Sequence, residues 1–304
     1  MFHVEPIKME TLFVCPVCGS SGIEPLIPVK DYFLSGQEFV IQRCNSCGFM
    51  FINPRPTQEE IGKYYQTSDY ISHNADKSDL VSRLYRSARR FSVKHKFGMV
   101  ASHIQGKKIL DIGCGTGEFL AYCKKNNFEV YGIEPNEQAR NFAITHNQIQ
   151  VGADVGDMER LGVRFSCITL WHVLEHVHLL NETITKIKRM LSQHGVLIIA
   201  VPNCNSYDAC HYKQYWAAYD VPRHLSHFNT PSFTALMEKH GFGIDKIQPQ
   251  YLDAFYISLL SEKYENGSLN YFKAFFLGLW SNLMALKDKQ GTSSLIYILT
   301  LKNT

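Results

Sequence analysis

Short apolar runs alternate with stretches of helical spacing through the middle of this chain. Residues 108–112, 127–134, 165–171 and 195–201, with a shorter run near 149, read as strands covered on both faces, because each is nearly continuous in apolar side chains. Helices are expected between them at 118–126, 137–146 with Asn136 as cap, and 179–191. Strand and helix in alternation predict a parallel doubly wound sheet whose ligands sit at the carboxyl ends of the strands. Upstream, Thr57 to Glu60 reads as a capping box opening a short helix through Tyr65. A longer amphipathic helix is expected over 79–104. It would turn Leu80, Leu84, Ala88, Phe91, Phe97 and Ile104 inward and Arg83, Arg86, Arg89, Arg90, Lys94 and Lys96 outward. Downstream, Thr230 with Pro231 behind it reads as a helix start. Phe272, Phe275, Phe276, Leu279, Trp280, Leu283 and Leu286 recur at helical spacing. That stripe is expected to pack on the core or on a second copy in a homodimer; a lid over an apolar substrate and a peripheral membrane contact through 271–286 are the other readings.

Composition narrows the class. The chain has 304 residues, 45% apolar and 19% charged, which allows about two globular domains and excludes a disordered or collagen-like chain. Lys plus Arg total 31 against 28 acids, so the net charge of +3 gives no ground for expecting a nucleic acid as partner. Residues 1–10 lack the apolar core of a secretory signal. The apolar run at 274–286 falls short of the ~20 residues that cross a bilayer. A cytoplasmic protein is expected, and the nine cysteines then read as reduced thiols, metal ligands or both. Cys15-Pro-Val-Cys18-Gly and Cys44-Asn-Ser-Cys47-Gly are two matched knuckles. Each turn aims two sulfurs at one point, and together they supply a closed tetrahedral set that suits a structural zinc ion.

The first strand of the alternating region runs into Asp111-Ile-Gly113-Cys114-Gly115-Thr116-Gly117. Three glycines let backbone N–H groups approach a ligand, while a carboxylate beside them would repel a pyrophosphate but could hold an amino group. Glu134 ends the next strand about 20 residues on, where an acid accepting from both ribose hydroxyls belongs. These residues resemble class I S-adenosylmethionine-dependent methyltransferases. The glycine loop looks like that family's first motif, Gly132-Ile-Glu134-Pro135 like its second, and 165–178 like the strand and loop leading into its catalytic cleft. The resemblance implies a Rossmann-like seven-stranded α/β sheet ending in an antiparallel hairpin, with 243–248 and 293–301 as the last two strands. It implies S-adenosylmethionine contacts from Asp111, Gly113, Cys114, Gly115, Thr116 and Gly117, from Glu134 and Pro135, from Asp157 and Met158 at the adenine, and from Trp171 and His172. The organisation expected is a zinc ribbon over 1–55, a helical linker over 56–105, a cofactor domain over 106–250, a helical insertion over 251–290 and the last strand over 291–304.

His172-Val-Leu-Glu175-His176 matches an inverted zinc-protease signature, but that chemistry needs both histidines on one continuous helix, and His172 directly follows an apolar strand. The better role for the cleft histidines is as a general base beside the transferred methyl, with His176 and His224 as candidates. Tyr64, Tyr65 and Tyr70 are candidate cofactor caps. The general layout also resembles deoxysugar C-methyltransferases and polysaccharide-locus relatives, with Arg223 standing where those enzymes usually carry a glutamate. The expected function is methyl transfer to a small-molecule acceptor, such as a saccharide or nucleotide-linked sugar. An RNA methyltransferase gripping phosphates through ribbon and basic helix, and a non-catalytic cofactor-binding scaffold, are the alternatives.

Overall fold

The protein is described by a computed structural model covering residues 7–65 and 80–302, with backbone only at 80–89 and 285–287. In chain order the strands are β1 (Met9–Glu10), β2 (Ile23–Lys30), β3 (Glu38–Cys44), β4 (Met50–Ile52), β5 (Arg55–Pro56), β6 (Lys108–Ile112), β7 (Glu129–Ile133), β8 (Gln150–Gly152), β9 (Phe165–Trp171), β10 (Leu191–Pro202), β11 (Ser226–His227), β12 (Phe242–Pro249) and β13 (Ser294–Leu301). The helices are α1 (Leu80–His103), α2 (Glu118–Lys125), α3 (Glu137–Asn147), α4 (Val155–Arg160), α5 (Leu180–Met190), α6 (Tyr207–Tyr212), α7 (Thr230–Lys239), α8 (Asp253–Asn266) and α9 (Tyr271–Lys287). Seven strands form one sheet in the order β12-β13-β10-β9-β6-β7-β8. Only β13 runs against its neighbours, pairing antiparallel with both β10 and β12. This is the Rossmann-like sheet with a terminal hairpin that the sequence led us to expect. Ile109, Leu110 and Ile112 of β6 and Ile168 and Leu170 of β9 are buried because helices cover both faces.

Local chemistry explains most helix starts. The Asn136 side chain accepts from the Ala139 N–H, and Gly117 enters α2 at φ +78°, a left-handed conformation that glycine adopts without strain. At α7 the cap is Asn229, not Thr230: Asn229 and Ser232 form a reciprocal capping box, and Pro231 sits in the first turn. Residues 57–65 make a single 3-10 turn, Ile61–Tyr65, in place of the expected α-helix.

The cysteine-bearing segment is built into the body of the protein. Its sheet runs β11-β4-β3-β2, so a strand from beyond residue 220 completes it, with Ser226 opposite Phe51 and His227 opposite Met50. Cys15, Val17, Cys44, Phe49 and Phe51 share one core with Leu110, Phe165 and Phe228. Arg223 fastens the same two regions. Its guanidinium donates to Asp31 Oδ1 at 3.0 Å, to Asp220 Oδ1 at 2.7 Å and to the Tyr64 carbonyl at 3.3 Å, and it lies 4.5 Å from the centre of the Phe33 ring.

α8 and α9 form a helical hairpin between β12 and β13, so close at Gly278 that an added Cβ would come within 3.0 Å of the Phe255 backbone. The stripe does not pack on the core, the first of the sequence readings, but lies on the outer face of the hairpin. Ala274 and Ser281 face inward, whereas Phe272 is 82% exposed, Phe276 64% and Phe275 54%, with Leu279, Trp280 and Leu283 also outside. The inner face is small because it must cross α8 closely and carry Ser281, whose hydroxyl donates to Asp208. Leu286 lies outside the described side chains. Among the described residues no helix is long and apolar enough to cross a membrane.

Arg223→Ala leaves Asp31 buried without its cation and is expected to cost about 3–5 kcal/mol in urea unfolding. Arg223→Met combined with Asp31→Asn should recover part of that loss, since it removes both charges and keeps an amide oxygen for the turn's N–H groups; a double variant as unstable as the single would contradict this account.

Candidate functional site

The glycine loop closes the carboxyl end of β6. Gly113 and Cys114 donate their N–H groups to the Ile133 carbonyl, at 2.7 and 3.0 Å, which ties the loop to the end of β7. The Gly115 N–H donates to Glu134 Oε2 at 2.8 Å, and Asn136 N–H donates to Oε1 at 2.9 Å. Gly115 adopts φ +55°, and a Cβ there would meet only open space, so the loop presents bare backbone to the cleft. Gly113 has no such room, because a Cβ would strike Val173. The Thr116 carbonyl accepts from Asn147, and Pro135 is exposed beside Glu134. Asp111 is buried and accepts from the Thr169 hydroxyl at 2.6 Å. Burial pushes its carboxyl up to about 7, against the pull of Thr169 and Lys96.

Lys96 corrects the sequence reading. It was placed on the outer face of α1, yet its ammonium lies 4.7 Å from the centre of the Trp171 ring and feels both Asp111 and Asp253. Burial lowers it below the usual lysine range. Phe91, expected inside, is exposed, whereas Phe97 packs edge-on against Tyr122 and Phe128 as the period requires. Arg83, Arg86 and Arg89, with Leu80, Leu84 and Ala88, lie outside the described side chains. Trp171 stands edge-on to Phe119, and its buried Nε1 has no hydrogen-bond partner among the described residues. Next to it, His172 takes φ +57°, with Nε2 3.0 Å from Asp253 and Nδ1 3.4 Å from Glu175. Burial alone would depress this imidazole, but the two carboxylates carry it up to about 10, so it is a cation at neutral pH.

The adenine contacts expected at 157 and 158 sit differently from each other. Met158 is buried in the sheet's core. Asp157 serves a capping box, accepting from the N–H groups of Ala153 and Asp154 at 2.8 and 3.2 Å while pairing with Arg160. Its carboxylate is therefore already satisfied by its own chain, and Asp154 is the helix cap.

His176 and His224 are brought together, their ring centres 4.6 Å apart. His176 Nδ1 lies 3.0 Å from the Arg223 carbonyl and 2.9 Å from the Tyr65 hydroxyl. A carbonyl only accepts, so Nδ1 carries the proton and Nε2 is bare. His224 Nδ1 is held in the same way by the Ala218 carbonyl at 2.8 Å. Burial, and then His224, depress His176 to about 4, so it is neutral at pH 7. Glu175 is fully buried, and against that cost the neighbouring His172 cation lowers its pKa. Tyr64 is spent on the ribbon, packed on Phe39 with its hydroxyl donating to Gln37, and Tyr70 lies outside the described residues. Glu175, Asp253 and Lys96 were missed as site residues. The signal for Glu175 lay in the His-x-x-Glu-His string and went with the rejected protease.

The four knuckle cysteines gather. Cys15 and Cys47 sulfurs are 3.6 Å apart, Cys18 and Cys44 sulfurs 3.5 Å, and all four lie within 4.8 Å of one another. These separations are too long for disulfides and near the ~3.8 Å edge of a tetrahedron with metal–sulfur bonds of about 2.3 Å. The donor set therefore fits a tetrahedral thiophilic ion.

Residues 83–247 match the family described as Methyltransferase domain. The chain belongs to that family, and this region is a class I S-adenosylmethionine-dependent methyltransferase domain. It is 28% identical over 142 residues to the ubiquinone biosynthesis O-methyltransferase of Azoarcus sp., a match covering 42% of this chain and 61% of that one. It is 27% identical over 157 residues to the carboxy-S-adenosyl-L-methionine synthase of Campylobacter hominis, covering 47% and 64%. Both matches span less than two thirds of the relative. The fold is also that of the magnesium protoporphyrin IX methyltransferase of Synechocystis, with TM-score 0.52 and 12% identity over 81% of this chain and 100% of that one.

Asp111 also makes a stability prediction. Its folded value lies above the unfolded one, so the folded state binds the extra proton and stability falls as pH rises from about 4 to about 7, remaining reduced above that. Asp111→Asn should therefore raise the melting temperature of the ligand-free protein at pH 8 more than at pH 5. An equal shift at both would count against a buried, strained carboxylate.

Proposed function

We propose that the protein transfers a methyl group from S-adenosylmethionine to a hydroxyl of a small-molecule acceptor, and that a structural zinc ion closes the four-cysteine cluster. The observation that carries the first part is the pairing of two acids at the ends of adjacent strands, Asp111 and Glu134, around a loop that leaves Gly115 bare. Glu134 would accept from the ribose hydroxyls, Asp111 from the amino group, and Lys96 would take the carboxylate at the methionine end. Trp171 forms the wall between Lys96 and Phe119.

When bound, the cofactor supplies an electrophilic methyl on a positively charged sulfur. His176, neutral and with its proton fixed on Nδ1, would offer Nε2 to an acceptor hydroxyl and take its proton while the methyl leaves the cofactor's sulfur for that oxygen. The cleft edge holds His172 and Gln250 side by side on the Asp253 carboxylate, a polar lining that suits a polyhydroxylated acceptor such as a saccharide or its nucleotide-linked form. Lys96 turns away from the basic face of α1, which weakens the case for an RNA substrate.

Calorimetry should detect S-adenosylmethionine binding that strengthens as pH rises through about 7, because ionised Asp111 attracts the cofactor's ammonium group more strongly than the neutral acid does. Glu134→Ala and Lys96→Ala should each weaken it about tenfold or more. Absence of binding by the wild type would overturn the reading. Chelation of the cysteine-bound ion should lower the melting temperature without altering cofactor affinity at low temperature; a zinc-free chain of unchanged stability would remove the structural role.

A further inference from the structure

Glu175, His176 and His224 converge away from the cysteine cluster. One donor atom from each lies within 4.8 Å of the other two. Both Glu175 oxygens are buried and accept no hydrogen bond of normal geometry from any described residue; the nearest cation is His172, whose Nδ1 forms an ion pair with Oε1 at 3.4 Å while its Nε2 meets Asp253 at 3.0 Å, so Oε2 is left with no cation of its own. A buried carboxylate with empty acceptor positions costs stability unless something fills them. Each imidazole brings one nitrogen within the 4.8 Å span. Each has Nδ1 turned to a backbone carbonyl, of Arg223 and of Ala218, leaving Nε2 without a hydrogen bond to any described residue, that of His224 standing 3.9 Å from Asp220 Oδ2. Histidines that ligate metals are held by this kind of outer bond, which fixes the tautomer and aims the ring.

We propose that Glu175, His176 and His224 form a second metal site that takes a divalent first-row transition ion through two imidazole nitrogens and one carboxylate. The mixed nitrogen and oxygen set suits Zn²⁺, Fe²⁺, Mn²⁺ or Co²⁺, and differs in kind from the four thiolates. Three protein donors leave at least one coordination position open, as in catalytic ions and unlike the closed cysteine set. An oxygen ligand takes that position. That it is the acceptor hydroxyl rests on the methyl-transfer reading. The ion then lowers the hydroxyl's pKa in place of His176, whose Nε2 is a ligand and not a base when the ion is bound. Occupancy by the ion does not rest on that reading.

The test uses the full chain, freed of metal and titrated anaerobically with Co²⁺, with no cofactor present. Cobalt on four thiolates gives an intense charge-transfer band, whereas a nitrogen and oxygen set gives only weak ligand-field bands. Two equivalents are expected in the wild type, one with each signature. His224→Gln and Glu175→Gln should each abolish the weak bands and keep the thiolate band, which also reports that the ribbon has folded. A wild type that saturates at one equivalent, or both variants retaining the second, overturns the site. Should a variant lose the thiolate band, X-ray absorption of the two-cobalt wild type decides: imidazole scattering beside the sulfur shell supports the site, and sulfur alone overturns it. Because the readout is metal content, a protein that binds the second ion but transfers no methyl would sink the methyltransferase reading and leave this one standing.

Discussion

Arg223 is buried with carboxylates on two sides, Asp31 from the cysteine-bearing segment and Asp220 from its own turn, and freeing its guanidinium leaves the buried Asp31 with its turn's N–H groups but no cation. Burial works against the charge, yet the two acids hold the guanidinium firmly protonated. The consequence reaches the cleft through the backbone. The Arg223 carbonyl fixes the proton on His176, His224 is the next residue, and the Leu225 N–H donates to the Glu175 carbonyl at 2.8 Å. Arg223 thus acts as the fastening that sets the positions of the cleft histidines.

The sheet was legible because its physics is local. Buried parallel strands need continuous apolar runs, glycines mark the loop, and an acid at the end of the second strand needs no tertiary information to be noticed. The knuckles were legible for the same reason, since two sulfurs on one turn carry their geometry in their spacing. What the sequence did not disclose was orientation. A stripe at helical spacing says which residues of α9 share a face, but whether that face lies inward depends on the partner, and α8 required a small face with Gly278 and Ser281. Lys96 escaped for a related reason: its long stem lets the ammonium cross from the rim of α1 to Trp171, and a helical wheel sees only where the stem begins. Asp157 shows the converse, an acid at a plausible spacing whose carboxylate also serves its own helix start. Arg223 and Asp31 are far apart in sequence, and only the fold brings them into contact.

The cysteine-bearing sheet is completed by β11, which follows most of the cofactor domain in the chain. On a ribosome this imposes a wait. At roughly 5–20 residues per second, β11 emerges some tens of seconds or less after β4. Throughout that interval Met50, Phe51 and Ile52 present an unpaired apolar edge, even when the knuckles have already captured their ion, and such an edge invites any passing strand. A nascent chain stalled before residue 226 would therefore be metal-loaded and adhesive at once, and safe passage through synthesis depends on a two-residue strand arriving late.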